Sequence, residues 1–369
     1  MKRAKVVIGA AFGDEGKGLM TDYHVRQGDA ADTIVVRFNG GANAGHTVVT
    51  PEGQRHVFRH FGSGTLAGAR TFLSRDFLVN PVLWRMEMQD LQQFPKLRTR
   101  LFVDREAPLT TVYDMLQNQH NEKLRGKHRH GSCGAGVHQT MVRQETSEFR
   151  IFAGDLERPS FLRDRIYSIR KHCCTIIDAM SDEAIFERFL ADCSEMAKHI
   201  SIRDSRFLSD QRNVVFEGAQ GLLLDAENKQ FFPHVTHSRT GLTNVLPLAH
   251  DAGLDGLDVT YVVRSYLTRH GAGPLLGEDP SLSYEDNTNT PNEWQGKLRF
   301  APFDVDMVRD AIDDDLSNVP NEIDFGVEVG LAITHCDQLS GYSILDKFPW
   351  PIDYVSTGPT HKDVRARKR

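Results

Sequence analysis

The chain has 369 residues and a mass of 41.6 kDa, enough for one large domain or two ordinary ones. Apolar residues make up 40 %, and 50 acidic against 44 basic side chains leave a net charge of −6. That balance excludes a disordered chain and argues against a basic nucleic-acid binder, and no apolar run approaches the ~18 residues of a membrane span. The basic start at Lys2 and Arg3 leads into a short apolar run that meets Asp14 and Glu15, so no signal peptide is expected. The five cysteines, Cys133, Cys173, Cys174, Cys193 and Cys336, show no metal spacing and suit a reducing cytoplasm.

In chain order, Lys5 to Ala10 reads as a buried strand and Thr33 to Phe38 as a second. Ser160 to Ser201 carries helical spacing, with Phe161, Leu162, Ile166 and Ile169 leading and Ile185, Phe189 and Leu190 following. Val214 to Glu217 and Val259 to Val263 read as strands. Glu278 to Asn292 is polar and turn-rich and predicts a surface loop. A short helix is expected at Val308 to Ile312, and strands at Gly330 to Thr334 and Ile352 to Val355. The tail from His361 to Arg369 has five Lys/Arg in nine residues and reads as a solvated, frayed end. Strands alternating with helices predict an α/β fold with a mostly parallel central sheet flanked by helices. The 30 glycines cluster at 9–18, 40–45, 62–68, 131–136, 218–221 and 271–277, and several clusters follow strands. In such sheets ligands sit at the strands' carboxyl ends.

The first cluster, Gly13-Asp14-Glu15-Gly16-Lys17-Gly18, has the order GxxGxG, so it is not a dinucleotide fingerprint. Nor is it a Walker loop, because Ala11 and Gly18 stand where glycine and Ser/Thr belong. The physics is shared nonetheless: glycines let backbone N–H groups approach a phosphate, and Lys17 adds a charge. On this motif alone an ordinary strand-to-helix turn stays equally open. Carboxylates repel phosphate, a conflict that disappears where Asp14 holds Mg²⁺ or acts as a base. The second cluster offers Asn43, Gly45, His46 and Thr47, with His46 a candidate proton donor or electrostatic stabiliser. Taken singly, His46, Gln220, Thr236 and Asp337 are ordinary polar residues.

Gly13–Gly18 with Asn43-Ala44-Gly45-His46-Thr47 resembles the adenylosuccinate synthetase family. Further landmarks follow in order: Phe216 to Gly221 resembles FEGAQG, Val235-Thr236 the next VT, and Ser265 to Pro274 resembles YSTRVGAGP. Thr334-His335-Cys336-Asp337 stands at the TKxD motif, and Ser356 to Pro359 resembles STGP. The resemblance covers nearly the whole chain. It implies a single large domain over 1–369, related to P-loop NTPases, with a helical insertion near 157–205 and a polar loop near 278–298.

The resemblance also implies a reaction. L-aspartate is joined to C6 of a purine nucleoside monophosphate, driven by a nucleoside triphosphate and Mg²⁺. Phosphorylating the 6-oxo group makes it a good leaving group. Asp14 is implied as the base at N1 and, with the Gly45 carbonyl, as a metal ligand. Lys17 and the loop of Gly13, Glu15, Gly16 and Gly18 neutralise the transferring phosphoryl group, with Thr47 beside them. His46 stabilises charge on the bridging oxygen. Asn43, Ser132, Gln220 and Thr236 fall where the monophosphate is held. Asp337, Ser356, Gly358 and Pro359 fall at the donor's base.

Departures shape the rest. Where the family has TTGRRRRTGW, this chain keeps Arg299, with Lys297 beside it, as the carboxylate clamp for aspartate. His335 replaces a lysine over the donor's base, which leaves GTP, ATP and dATP open. The family's GTTGRG becomes Gly131-Ser132-Cys133-Gly134-Ala135-Gly136. An arginine is borrowed from a partner subunit; Arg143, with Arg150 as rival, is the candidate, and a homodimer is expected. The chain is shorter than bacterial members, mainly between Asp337 and Ile352. That compaction resembles the archaeal branch and its phage relatives, which act on (d)GMP to yield a 2-aminoadenine precursor. The reading favours dGMP or GMP over IMP. A regulator that kept the pocket and lost the chemistry is the competing class, and the presence of both Asp14 and His46 speaks against it.

Overall fold

The computed structural model describes residues 2–95, 97, 100–126, 132–174, 177–286, 289, 296–320, 325–339 and 347–367. Gly131, Trp294, Gln295, most of 287–295 and the last two residues lie outside them. β1 (Arg3–Gly9) leads through a turn into α1 (Lys17–Arg26) and β2 (Thr33–Arg37). β3 (His46–Val49) and β4 (Arg55–Phe58) form a separate antiparallel hairpin. β5 (Arg70–Leu73), α2 (Pro81–Leu91), β6 (Leu101–Asp104), α3 (Val112–Arg125) and α4 (Val137–Glu145) follow. α5 (Pro159–Cys174) and α6 (Glu183–His199) precede β7 (Ile200–Arg203) and β8 (Asn213–Gly221). Then come α7 (Leu242–Asp251), β9 (Gly256–Arg264), the small pair β10 (Leu267–Arg269) and β11 (Arg299–Ala301), and α8 (Val305–Ser317). β12 (Gly326–Thr334), β13 (Ile352–Ser356) and β14 (Val364–Ala366) close the chain.

Ten strands form one sheet in the order β14-β13-β12-β9-β1-β8-β2-β5-β6-β7. All neighbours are parallel except β13 with β14. Parallel strands covered on both faces read as continuous apolar runs, which is why β1, β2, β8 and β9 are visible in the sequence. β1 lies centrally, between β8 and β9, so the turns leaving these three strands share one end of the sheet.

Two large apolar clusters support that frame. One gathers Phe216, Leu248, Tyr261 and Ile312; the other gathers Phe58, Trp84, Tyr113 and Phe186 under the helices. Local signals set the helix starts. Asn80 caps α2 ahead of Pro81, and Thr111 with Asp114 forms a capping box on α3.

Three expectations need correction. Ile200 and Ser201 belong to β7 rather than to a helix, because β6 offers a parallel edge that Ile200 to Arg203 completes. The tail is not frayed as far as it is described. Val364 to Ala366 pairs with β13, and Asp363 caps the preceding turn through Thr360. The helix expected at Val308 to Ile312 is longer, starting at an Asp304 cap.

Candidate active site

The chain leaves β1 into a tight turn in which Gly13 (φ +93°), Asp14 (φ +62°) and Gly16 (φ +95°) are left-handed. Asp14 pays strain there that its neighbours must hold. Arg264 donates from Nε to its carbonyl, and Glu15 accepts from the N–H groups of Ala11 (3.1 Å) and Gly13 (2.7 Å). Glu15 also pairs with Lys17 Nζ at 2.6 Å, both side chains being buried. A Cβ on Gly9 would lie 2.3 Å from Glu15 Oε2, so the glycine is needed for the pair to fit behind the strand. The Glu15 carboxylate therefore shapes the loop from beneath and does not line the cleft, contrary to its expected place at the triphosphate.

At the end of β2, Asn39 clamps the turn that follows β8. Its Oδ1 accepts from Ala219 N at 2.7 Å, and its Nδ2 donates to the carbonyls of Ala219 and Arg239, each at 3.0 Å. Gln220 is thereby held at φ +65° and faces the same space. His46 opens β3, and its Nδ1 lies 2.6 Å from Glu217 Oε1. Glu217 is fully buried and also accepts from Ser63 N at 3.0 Å, with Arg37 Nε at 3.9 Å. Burial, reinforced by Arg37, holds the His46 imidazole down at about 4. Burial alone would raise Glu217, but His46, its hydrogen bond and Arg37 outweigh it and hold the carboxyl at about 2. At rest the pair is thus a neutral ring donating Nδ1–H to a carboxylate, with Nε2 buried and without a partner among the described residues.

These elements surround a cleft of about 830 Å³. Two helices of eight or more residues point their amino ends into it: α1 through Gly16 and Lys17, and α4 through Gly136 and Val137. Exposed N–H groups and the helix dipole make each a place for an anion. Gly13, Asp14, Gly18, Asn43, Gly45, Thr47, Ser132, Thr236, Asp337, Gly358 and Pro359 also line it. The structure thus brings most of the expected residues to one wall or the other.

The others lie elsewhere. Arg143 is buried and fully occupied within its own chain: Nε to Asp114 at 3.0 Å, Nη1 to Phe149 O at 2.7 Å and Nη2 to Leu109 O at 2.6 Å. With Nη1 also on Gln144 and Nη2 on Asp114, all five N–H groups are used, so Arg143 is not the arginine lent to a partner that the sequence suggested. Arg150 is exposed and donates from Nε to the carbonyl of Gln144 at 2.6 Å. Arg299 braces the loop beside the cleft, bonding Glu278 at 2.6 Å and the Gly271 carbonyl at 2.7 Å, and does not line the space. Lys297 is exposed and outside it. Ser356 is buried, and its hydroxyl donates to Gly358 O at 2.7 Å, so it shapes the donor-side turn rather than facing it.

The polar loop is not merely surface. Tyr284 stacks on Tyr266 at 3.8 Å, Asp286 pairs with buried Arg264 at 2.9 Å, and Glu285, Asp286 and Asn289 line the cleft. His335 sits at φ +58°, its Nδ1 is 2.9 Å from Thr334 Oγ1, and burial with Arg264 lowers it to about 3. Sequence reasoning missed Glu217, Arg264, Arg269 and His270. Glu217 and Arg264 carried a signal, being charges that end the apolar runs Val214 to Phe216 and Val259 to Val263; a buried charge needs a partner. Arg269 donates to the carbonyls of His234 and Pro274, each at 2.6 Å, and packs over Phe12.

The sequence profile of the adenylosuccinate synthetase family matches residues 6–313. An adenylosuccinate synthetase of Nostoc punctiforme is 30 % identical over 323 residues, covering 83 % of this chain and 70 % of the relative. One from Synechococcus elongatus is 32 % identical over 287 residues, covering 74 % and 62 %. Among solved structures, fully ligated adenylosuccinate synthetase from Plasmodium falciparum superposes with a TM-score of 0.75 at 19 % identity, covering 99 % of this chain and 100 % of that one. A cyanophage S-2L succinoaminodeoxyadenylate synthetase, bound to dGMP and to dATP as an energy donor, gives 0.66 at 16 % identity, covering 99 % and 95 %. These last two likenesses speak for the fold.

Proposed function

The chain belongs to the adenylosuccinate synthetase family and is a carbon–nitrogen ligase, and from that premise we propose that it joins L-aspartate to C6 of a guanine nucleoside monophosphate, dGMP or GMP. The observation that carries the reading is the meeting of Asp14, Lys17 and the His46–Glu217 pair on one cleft between two helix amino ends. Asp14 takes the N1 proton, which leaves the 6-oxygen nucleophilic toward the donor's terminal phosphoryl group. Lys17 and the amides of α1 offset the charge of that group in transit. His46, protonated once the phosphates bring negative charge beside it, stabilises the bridging oxygen through Nε2. Aspartate's amine then attacks C6, and inorganic phosphate leaves with the former 6-oxygen.

The residues present suit Mg²⁺. It prefers oxygen ligands and is usually held by one or two protein groups plus substrate phosphates. The Asp14 carboxylate and the Gly45 carbonyl line the same cleft, and among the described residues no cluster of three or more His, Cys, Asp or Glu competes for the role. When bound, the ion would neutralise phosphate charge.

The guanine preference draws on the compact chain and on the altered donor and aspartate segments. A carboxylate at Asp14 suits it too, as an acceptor for an exocyclic 2-amino group. The donor is GTP, ATP or dATP, its base held by Asp337. The enzyme works in the cytoplasm as a homodimer. Leu124 on α3 and Met141 and Val142 on α4 are large apolar side chains left exposed, five free cysteines suit the compartment, and among the described residues no helix is long and apolar enough to cross a membrane. A competition between dGMP, GMP and IMP, read by product mass, tests the purine. Succinylated guanine product in excess supports the reading, and product from IMP alone assigns the chain to adenylosuccinate formation.

A further inference from the structure

We propose that His270 is a positioning residue for Asp14; the inference rests on the ligase reading above. His270 Nε2 lies 3.3 Å from Asp14 Oδ2, an ion-pair contact that a small turn of the ring makes a hydrogen bond. A carboxylate only accepts, so a neutral ring in this contact carries its proton on Nε2. His270 Nδ1 is buried and has no partner among the described residues, which leaves the Asp14 contact to orient the ring. The ring is also well covered, at 17 % exposure.

Asp14 needs such a brace. Its backbone is fixed by the left-handed φ of +62° and by the Arg264 bond to its carbonyl. Its side chain, 27 % exposed, projects into the cleft and would otherwise swing between rotamers. A carboxylate has about four lone-pair sites; His270 takes one on Oδ2, which leaves Oδ1 for the purine and the second Oδ2 site for a cation. When the purine's N1 proton moves to Oδ1, the 6-oxygen gains the electron pair that attacks the phosphoryl group. The Nε2 proton stays on His270 throughout, and no further proton acceptor is required. In the YSTRVGAGP segment that Ser265 to Pro274 resembles, valine stands where this chain has His270, and valine cannot donate.

The test uses His270→Val, His270→Gln and His270→Asn in the full chain, assayed with each of dGMP, GMP and IMP. Losing one hydrogen bond to a charged group is worth about tenfold or more in rate. His270→Val is expected to lower kcat about tenfold with the nucleotide KM within about twofold. The glutamine amide can occupy the place of Nε2 and restores kcat to within about threefold, whereas the shorter asparagine does not. A merely structural role would move the melting temperature and leave this Gln/Asn split absent. Wild-type kcat in His270→Val, or equal rates in the Gln and Asn variants, overturns the inference. A wild-type chain that makes no product from any of the three purines overturns the ligase reading instead, and the inference falls with it.

Discussion

Glu217→Gln keeps the shape of the side chain that holds His46 and removes its charge. Two separable losses are expected. Arg37 is fully buried and 3.9 Å from the Glu217 carboxylate, and breaking a buried pair costs about 3–5 kcal/mol. Arg37 still donates to the carbonyls of Arg59 (3.1 Å) and Phe61 (3.4 Å), which points to the lower end, about 3 kcal/mol. An unfolding entropy of ~2.1 cal/mol/K per residue over 369 residues turns that into a fall of about 4 °C in melting temperature. The catalytic loss is larger. Without the carboxylate, His46 has less support for the proton it must carry beside the bridging oxygen, and turnover should fall by about 10²–10³, the scale for one transition-state stabiliser. Initial rates of nucleoside diphosphate release, with thermal melts of the same preparation, read both effects. Turnover within threefold of wild type in a folded variant would refute the role of the pair.

Acid should destabilise the protein as the pH falls below about 6.5. Burial holds folded His24 and His46 at about 4 and His335 at about 3, below the ~6.5 of the unfolded chain, so between pH 6.5 and 4 the unfolded state binds more protons and stability falls with pH. Asp104 and Asp315, raised to about 6 by burial, oppose this over the same range, as do Asp22, Asp76 and Asp192, while His60 and His361 add to it; the three largest imidazole shifts set the sign, and a melting temperature at pH 5 equal to or above that at pH 7 would contradict it. Arg143→Ala leaves the buried Asp114 carboxylate unpaired and should cost about 3–5 kcal/mol, seen as a lower urea midpoint, with the monophosphate KM within threefold. A KM raised more than tenfold at unchanged stability would instead return Arg143 to the nucleotide site. Asp337→Asn should raise the KM of the preferred triphosphate about tenfold, since charge-assisted bonds to its base become neutral ones. Identical KM values for GTP and ATP before and after would remove Asp337 from donor selection.

The central strands were legible because burial on both faces demands runs such as Val6-Val7-Ile8 and Val259 to Val263. β5, β6 and β7 were not, being four residues each, and their identity comes from the neighbours they pair with. The cleft's first wall could be read from Gly13 to Gly18 because left-handed turns and close packing restrict residue choice. Polar residues that act through others were harder. Arg143 looks available in the sequence, yet Asp114 claims it from 29 residues away, a contact that only the packing of α4 on α3 creates. Arg299 was chosen for its charge, but Glu278 and two loop carbonyls engage it. His270 lies 256 residues from Asp14 in the chain, and its meaning appears only when the fold brings the two to 3.3 Å.

The path of the purine's 6-oxygen tests the proposed chemistry most directly. The monophosphate is labelled with ¹⁸O at C6 and incubated with the enzyme, aspartate, Mg²⁺ and the triphosphate donor, and the released phosphate is weighed by mass spectrometry. Transfer through a 6-phosphoryl group places one labelled oxygen in each phosphate released, alongside a succinylated purine that has lost it. Unlabelled phosphate accompanying that product would contradict the account.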